Sequence, residues 1–223
     1  LLVDELAGAV VLTMSSTRER LAGFLERWHD VGHPLELEIH ISDPWPDSRA
    51  GNWQAHVDAL TGAPGPVLVL EDDAVFAPGF TLELEIPSRP LWDVFFLGGD
   101  HFLAPWGTDV AGVVRGTRIR QNHCYAVREP HRWAELVGPA LVDGERARED
   151  GYVDGRFGDL ARDSVHYAVM PFTVGQDVGQ SNIDPERYRP EVEFWNRVTW
   201  PDYGSDWPQN RPIGVAGALV DRA

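Results

Sequence analysis

The stretch Val67-Leu68-Val69-Leu70-Glu71-Asp72-Asp73 decides the fold. Its first four residues are apolar and branched, as in a strand buried on both faces of a parallel sheet. Three acids follow without a spacer, so they belong to the carboxyl end of that strand. Open α/β sheets bind their ligands at that edge. Adjacent carboxylates repel one another unless a cation lies among them. Alternation along an extended chain puts Glu71 and Asp73 on one side and Asp72 on the other. Two readings stay open. One is a divalent-metal site holding a phosphorylated ligand, with Mg²⁺ or Mn²⁺ preferred by hard oxygen donors. The other is a solvated acidic turn.

Working backwards, Gly62-Ala63-Pro64-Gly65-Pro66 reads as a turn and Asn52 to Leu60 as a short helix. Asp43-Pro44-Trp45-Pro46-Asp47 is loop, because two prolines forbid regular structure there. Leu35 to Ser42 alternates. Leu35, Leu37, Ile39 and Ile41 are expected on a buried face, with Glu36, Glu38 and His40 outward, in a half-buried strand near a sheet edge. Ala9 to Met14 is a first strand. Ser16 with Glu19 reads as a capping box, before Leu21, Phe24, Leu25 and Trp28 at helical spacing. Working forwards, Asp93 to Leu97 is a buried strand closed by Gly98-Gly99, and His101 to Arg120 a loop or hairpin excursion. His123 to Val127 and Val165 to Met170 are strands. Glu129 to Val142 and Tyr152 to Arg162 are helices. The early alternation of strand and helix predicts an α/β fold with a mostly parallel sheet flanked by helices. From Ile183 onward the chain is polar, proline-rich and aromatic, with little helix or strand pattern.

The chain has 223 residues, 19 basic and 35 acidic, for a formal net charge of −16. This length suits one domain. Such a charge disfavours non-specific nucleic-acid binding without closing it. Every basic residue is arginine, which excludes a lysine Schiff base and a P-loop lysine. Arg115, Arg118 and Arg120 either meet a phosphate or acidic substrate or are solvated surface groups. No window approaches the ~18 apolar residues of a membrane span. Leu1 to Leu6 carry acids and no basic n-region, so no signal peptide is expected. The single cysteine, Cys124, excludes an internal disulfide framework. It reads as a buried small hydrophobe, and a cytoplasmic setting is expected.

Val67 to Phe76 resembles the acidic-motif strand of family 25 glycosyltransferases, the group of lipooligosaccharide sugar transferases and collagen galactosyltransferases. Other segments follow in the family's order. Gly51-Asn52-Trp53-Gln54-Ala55-His56-Val57-Asp58-Ala59-Leu60 resembles the helix that reads Gly-Cys-x-x-Ser-His-x-x-x-Leu in the family, with Asn52 and Ala55 as departures. Trp92 to Gly98 resembles its Trp-Asp-x-x-x-Leu-Gly strand. Tyr152-Val153-Asp154 stands where the family has a Val-Asp pair. Pro171 to Ile183, with Gln176, Ser181 and Ile183, resembles its closing segment. The Gly-Thr-x-Gly-Tyr segment survives only as Asn122-His123-Cys124-Tyr125. The likeness covers roughly residues 9 to 183.

The resemblance implies a GT-A-like (Rossmann-like) fold in one domain over residues 1–223. Residues 1–100 would form the nucleotide-sugar half, 101–183 the acceptor half and 184–223 a Trp-rich extension. It implies sugar transfer from a nucleotide sugar, a UDP-sugar favoured, with Mn²⁺ or Mg²⁺ bridging the diphosphate and stabilising the leaving group. Asp73 is then the expected metal ligand. Glu71 is a second ligand, or Glu71 or Asp72 holds ribose or a metal-bound water. Thr13 and Arg18, on the loop after the first strand, face the donor, Arg18 pairing with diphosphate or base or lying on the surface. Asp154 is the candidate base or an ordinary helix cap. His56, Asp100, Gln176 and, less directly, His101 and Ser181 are candidates to line the donor. Trp195, Trp200 and Trp207 form a sugar-stacking lid or a tail folded on the core. The acceptor is a glycan, a lipid-linked glycan, a protein or a modified DNA base. Competing readings are a non-catalytic nucleotide-sugar or glycan-binding module and a metal-dependent phosphohydrolase or nucleotidyltransferase.

Overall fold

The computed structural model describes residues 1–32, 35–139 and 153–177, and the backbone of 179–180, 188–189 and 198–200. The expected α/β architecture is present. A large sheet runs in the order β2-β1-β3-β8-β5-β9-β7-β6. Its strands are β1 (Gly8–Met14), β2 (Leu37–Ser42), β3 (Val67–Glu71), β5 (Val94–Leu103), β6 (Trp106–Gly107), β7 (Val113–Gly116), β8 (Ile119–Val127) and β9 (His166–Val169). β4 (Ala74–Phe76) and β10 (Val174–Gln176) form a separate antiparallel ribbon. β11 (Gly179–Gln180) and β12 (Tyr188–Arg189) form another.

The sheet is parallel through β2-β1-β3 and between β5 and β9. β8 runs antiparallel between β3 and β5, which makes the whole sheet mixed. β3 lies inside it, as its four fully or nearly buried apolar residues require. Helix α2 (Arg18–Val31) joins β1 to β2, and α3 (Ser48–Gly62) joins β2 back to β3 across β1. Right-handed crossovers in opposite directions place these helices on opposite faces of the sheet. On the α2 face, Phe24 and Trp28 pack on Phe76. On the α3 face, α4 (Pro130–Val137) and α5 (Val153–Leu160) complete the layer. There Phe157 is the hub for Phe96, Tyr125 and Trp133. The Trp53 indole donates to the Gly138 carbonyl at 2.8 Å and ties α3 to the end of α4.

Several expectations change. β2 is the edge strand as predicted, but Ile39 and Ile41 are 41% and 59% exposed, so the predicted buried face fails there. α2 begins at Arg18 behind Thr17, not through a Ser16 capping box, because the Thr17 hydroxyl is drawn into another contact. α3 starts earlier than predicted, capped by Asp47, which accepts from the Arg49 amide at 2.9 Å. Gly98-Gly99 do not close the strand. β5 continues through them to Leu103, paired with a longer β8 and, on its backbone, with β13 (Val198–Trp200). The aromatic tail therefore does contain a strand, although its composition hides it. Ser181, Trp195 and Trp207 lie outside the described residues.

Gly98 has a packing reason. A Cβ there would collide with the His123 imidazole and lie 2.7 Å from the Val174 carbonyl oxygen. The His123 ring is itself held by that carbonyl, Nε2 to O at 3.0 Å, so it cannot step aside. Gly98→Ala is expected to cost about 1–3 kcal/mol by overpacking, read as a lower denaturation midpoint in urea.

Two fully buried histidines make stability acid-sensitive. Burial pushes the pKa of His101 down to about 3, and burial with the nearby Arg115 does the same for His166. Between about 3 and the unfolded value of 6.5 only the unfolded chain takes up these protons. Stability is therefore full above pH 6.5 and falls as pH drops below it, by about 1.4 kcal/mol per histidine per pH unit. Thermal melts from pH 7.5 to 5 should show Tm falling, and His166→Gln should flatten the slope.

Candidate functional site

Parallel pairing of β1 with β3, Leu12 opposite Glu71, delivers the two following loops to one edge. β3 ends at Glu71, and Asp72-Asp73 form a turn before β4. The Asp72 amide donates to the Leu12 carbonyl at 3.1 Å. From the loop after β1, the hydroxyls of Thr13 and Thr17 each donate to Asp72 Oδ2 at 2.8 Å. One turn into α2, Arg20 Nη2 lies 2.8 Å from Asp72 Oδ1 and 3.2 Å from Asp73 Oδ2. A guanidinium thus bridges the two acids. Burial raises the Asp72 pKa, against the pull of Arg20 and the two threonines. These partners oppose the shift at a desolvated position without reversing it.

Behind the turn, Arg27 acts as a clamp. Its Nε donates to the Ala74 carbonyl at 3.1 Å and its Nη1 to Asp177 Oδ2 at 3.1 Å. The Asp177 amide donates to the Asp73 carbonyl at 2.7 Å. β10 therefore closes over the turn and brings Gln176, opposite Ala74, beside it. Gln176 is 7% exposed, and its Oε1 has no hydrogen-bond partner among the described residues.

Glu71 departs from the expected pairing with Asp73. Alternation holds only while the strand lasts, and the strand stops at Glu71. The Glu71 carboxylate reaches toward α3, where Asn52 Nδ2 donates at 3.2 Å and His56 Nε2 lies at 3.4 Å. His56 Nδ1 is 2.7 Å from the Tyr125 hydroxyl. Nε2–H donates to Glu71, while Nδ1 accepts from the Tyr125 hydroxyl in the neutral ring and donates to it in the charged one. Burial alone would raise the Glu71 pKa. The His56 hydrogen bond and charge, with His123 and Asn52, outweigh it and bring it to about 2. Asp72 and Asp73, not Glu71 and Asp73, share a cation in this structure. Asn52, a departure from the family pattern, is what fills the space beside Glu71.

The other predicted residues scatter along the same edge. Asp100 is buried just past an irregularity in the β5–β8 pairing, with Arg120 opposite it on β8. Asp154 is fastened by two amides, Gln121 at 3.0 Å to Oδ2 and Gly155 at 2.7 Å to Oδ1. It holds Gln121 at its unusual positive φ of 60°, which fits an anchoring role. Arg18 is exposed at the start of α2 and takes no part in the Asp72–Asp73 cluster. His101 is fully buried, stacked on Phe172 at 4.8 Å. Cys124 is buried, and burial pushes its thiol far above the ordinary range, so it is not a nucleophile. Arg118 and Arg120 both stack on Phe102, with ring-centroid distances of 5.2 and 3.9 Å, and Arg118 pairs with Asp159.

The sequence points to Thr17 only as part of the loop from Thr13 to Arg18 and does not single out Arg20, Arg27 or Asp177. A signal for two of them exists: Arg20, Phe24 and Arg27 follow at i, i+4 and i+7, a single stripe of α2. That stripe faces the acid turn and the core beneath it.

Among the described residues no group of three or more His, Cys, Asp or Glu side chains is placed to hold a metal ion. Asp72 and Asp73 are hard oxygen donors in a seat that already accepts a cation. That chemistry fits Mg²⁺ or Mn²⁺, which take one or two carboxylates and complete their shell with water and phosphate oxygens.

No family model and no curated protein matches the chain. Solved structures do. A glycosyltransferase involved in glycosylation of the major capsid of the virus PBCV-1 has 13% identity and a TM-score of 0.41, covering 73% of this chain and 92% of its own. The protein A197 from STIV has 14% identity and a TM-score of 0.46, covering 85% and 94%. A variant of Drosophila β-1,4-galactosyltransferase 7, in complex with manganese, UDP-Gal and xylobiose, has 12% identity and a TM-score of 0.40, covering 95% and 79%. At this identity and these scores the likenesses are ones of fold and identify no substrate of this chain.

Thr13→Val keeps the shape of the buried side chain and removes one donor to Asp72. Hydrogen bonds to charged groups contribute about 1.5–3 kcal/mol, so urea unfolding should show a loss of that size. Thr17→Val, at a more exposed position, should lose less.

Proposed function

We propose that the chain is a divalent-metal-dependent glycosyltransferase that moves a sugar from a nucleoside diphosphate sugar, a UDP-sugar favoured, to an acceptor hydroxyl. One observation carries this reading. The carboxyl ends of two parallel strands supply a paired carboxylate turn, anchored by two threonines and seated on a cation. A nucleoside diphosphate leaving group develops negative charge as its bond to the sugar breaks. A site built to neutralise that charge needs a cation held by hard oxygens at a ligand-binding edge. The likeness of the motifs to family 25 supplies the sugar-transfer chemistry.

In this reading Asp73 is the metal ligand, with Asp72 orienting the turn. The bound ion supplies Lewis-acid stabilisation of the departing diphosphate. The chain's own residues do the rest. Thr13 and Thr17 fix the Asp72 carboxylate. Arg27 and Asp177 lock the turn under β10. Gln176 presents a buried amide oxygen beside the turn for a donor hydroxyl. Glu71, His56 and Tyr125 form a connected relay behind the seat and keep Glu71 charged. Asp154 and Asp100 are the carboxylates available to an acceptor hydroxyl on the far part of the edge. Asp154 is the candidate base of the family pattern, and the two backbone amides on its oxygens fix its position.

A second reading rests on Arg20. A guanidinium across both carboxylates is also what a metal-free, non-catalytic nucleotide-sugar-binding module would contain. Turnover separates the two: only the transferase releases nucleoside diphosphate from its donor.

A thermal-shift screen of nucleotide sugars with and without Mn²⁺ tests the proposal. The expected result is a rise in Tm that requires both Mn²⁺ and a UDP-sugar, because a ligand binding only the native state stabilises it. Asp73→Ala should abolish the shift and lower turnover by about a hundredfold or more. No shift with any nucleotide sugar would overturn the reading.

A further inference from the structure

The unusual element of the site is Arg20. It lies between Asp72 Oδ1 and Asp73 Oδ2, against the carboxylate that would hold a metal ion. Its side chain is 31% exposed, whereas both aspartate side chains are 7% exposed. The arginine therefore reaches in from the solvent side and has room to withdraw. The aspartates cannot follow it. Asp72 is held from its other oxygen by Thr13 and Thr17, and the backbone of the turn by Leu12, Arg27 and Asp177. Withdrawal of Arg20 would remove the cation that the two adjacent carboxylates share in a desolvated setting, which favours another cation in its place.

We propose that Arg20 is an exchangeable internal cation: it neutralises Asp72 and Asp73 in the empty enzyme and gives up the seat when a divalent ion arrives. This rests on the reading that the turn serves a metal-bound diphosphate. Arg20 stands in the first turns of α2, beside the loop that follows β1. Once displaced it remains at the same edge, where a guanidinium suits the diphosphate of the donor. The exchange has two consequences. Metal affinity is weak without nucleotide, because the ion competes with a resident cation. Metal and nucleotide then bind with positive cooperativity, since the diphosphate gives the released arginine a new partner.

Mn²⁺ binding to the nucleotide-free protein, measured by electron paramagnetic resonance, tests this directly. Arg20→Gln should bind Mn²⁺ about fivefold to tenfold more tightly than the wild type. Arg20→Lys keeps the charge and should stay within about twofold of it. Asp73→Asn should bind least. A second measurement does not depend on the stability of a variant. In the wild type, Mg²⁺ should shift the Arg20 Nε–H resonance, assigned by its loss in Arg20→Lys. Equal or weaker Mn²⁺ binding by a folded Arg20→Gln protein, or an Arg20 resonance that Mg²⁺ leaves unmoved while it binds, overturns the exchange and leaves the transferase reading standing. Failure of the wild type and of Arg20→Gln to bind Mn²⁺ with or without UDP overturns both.

Discussion

Two adjacent carboxylates in a turn at the end of a buried strand repel one another, and a cation between them relieves that repulsion. That constraint organises this half of the molecule. Asp72 and Asp73 meet it with Arg20, and the geometry around them serves to keep the pair in place. Thr13 and Thr17 satisfy the remaining oxygen of Asp72. Arg27 and Asp177 pin the turn from behind. The parallel pairing of β1 and β3 puts these contributors within reach of one another. The sheet thus works as a frame that delivers loops to a single edge.

The three acids divide the work between the two faces of the sheet. Glu71 turns toward α3 and joins Asn52, His56 and Tyr125. This network stabilises the charged form of Glu71 strongly enough to overcome its burial. Asp72 and Asp73 turn toward α2 and the cation. A negative charge fixed on one side and a neutralised pair on the other make the strand tip polar in a directed way. Burial lowers the His123 pKa, and the Val174 carbonyl with the charges of Asp73 and Glu71 opposes that shift without reversing it.

Much of the frame was legible because burial leaves a local signature. The apolar run of β3, the first strand and helix, the edge position of β2 and the presence of α3 follow from pattern, although the helix limits shift and the pattern reads the capping Asp47 as loop. What was illegible depends on contacts far apart in the chain. Gly98 looked like a stop and is instead a point of close approach to His123 and Val174. β8, inserted antiparallel between β3 and β5, leaves no sign of its direction in its composition. Glu71 and Asp73 were assigned one face by a periodicity that ends when the strand ends. In the site, Asp72 and Asp73 stood out because acids beside a buried strand are costly. Arg20 did not, because an arginine in a surface helix looks ordinary until its partner across 52 positions of sequence is known.

The central claim is that the Asp72–Asp73 turn seats a divalent ion that carries the diphosphate of a sugar donor. Crystals grown with Mn²⁺ and UDP test it most directly, through the anomalous scattering of manganese. The account predicts one strong peak within about 2.3 Å of an Asp73 carboxylate oxygen, in contact with the diphosphate, with Arg20 moved off both aspartates. A diphosphate bound elsewhere, or one bound at this edge with Arg20 still bridging the acids and no manganese beside Asp73, would contradict it.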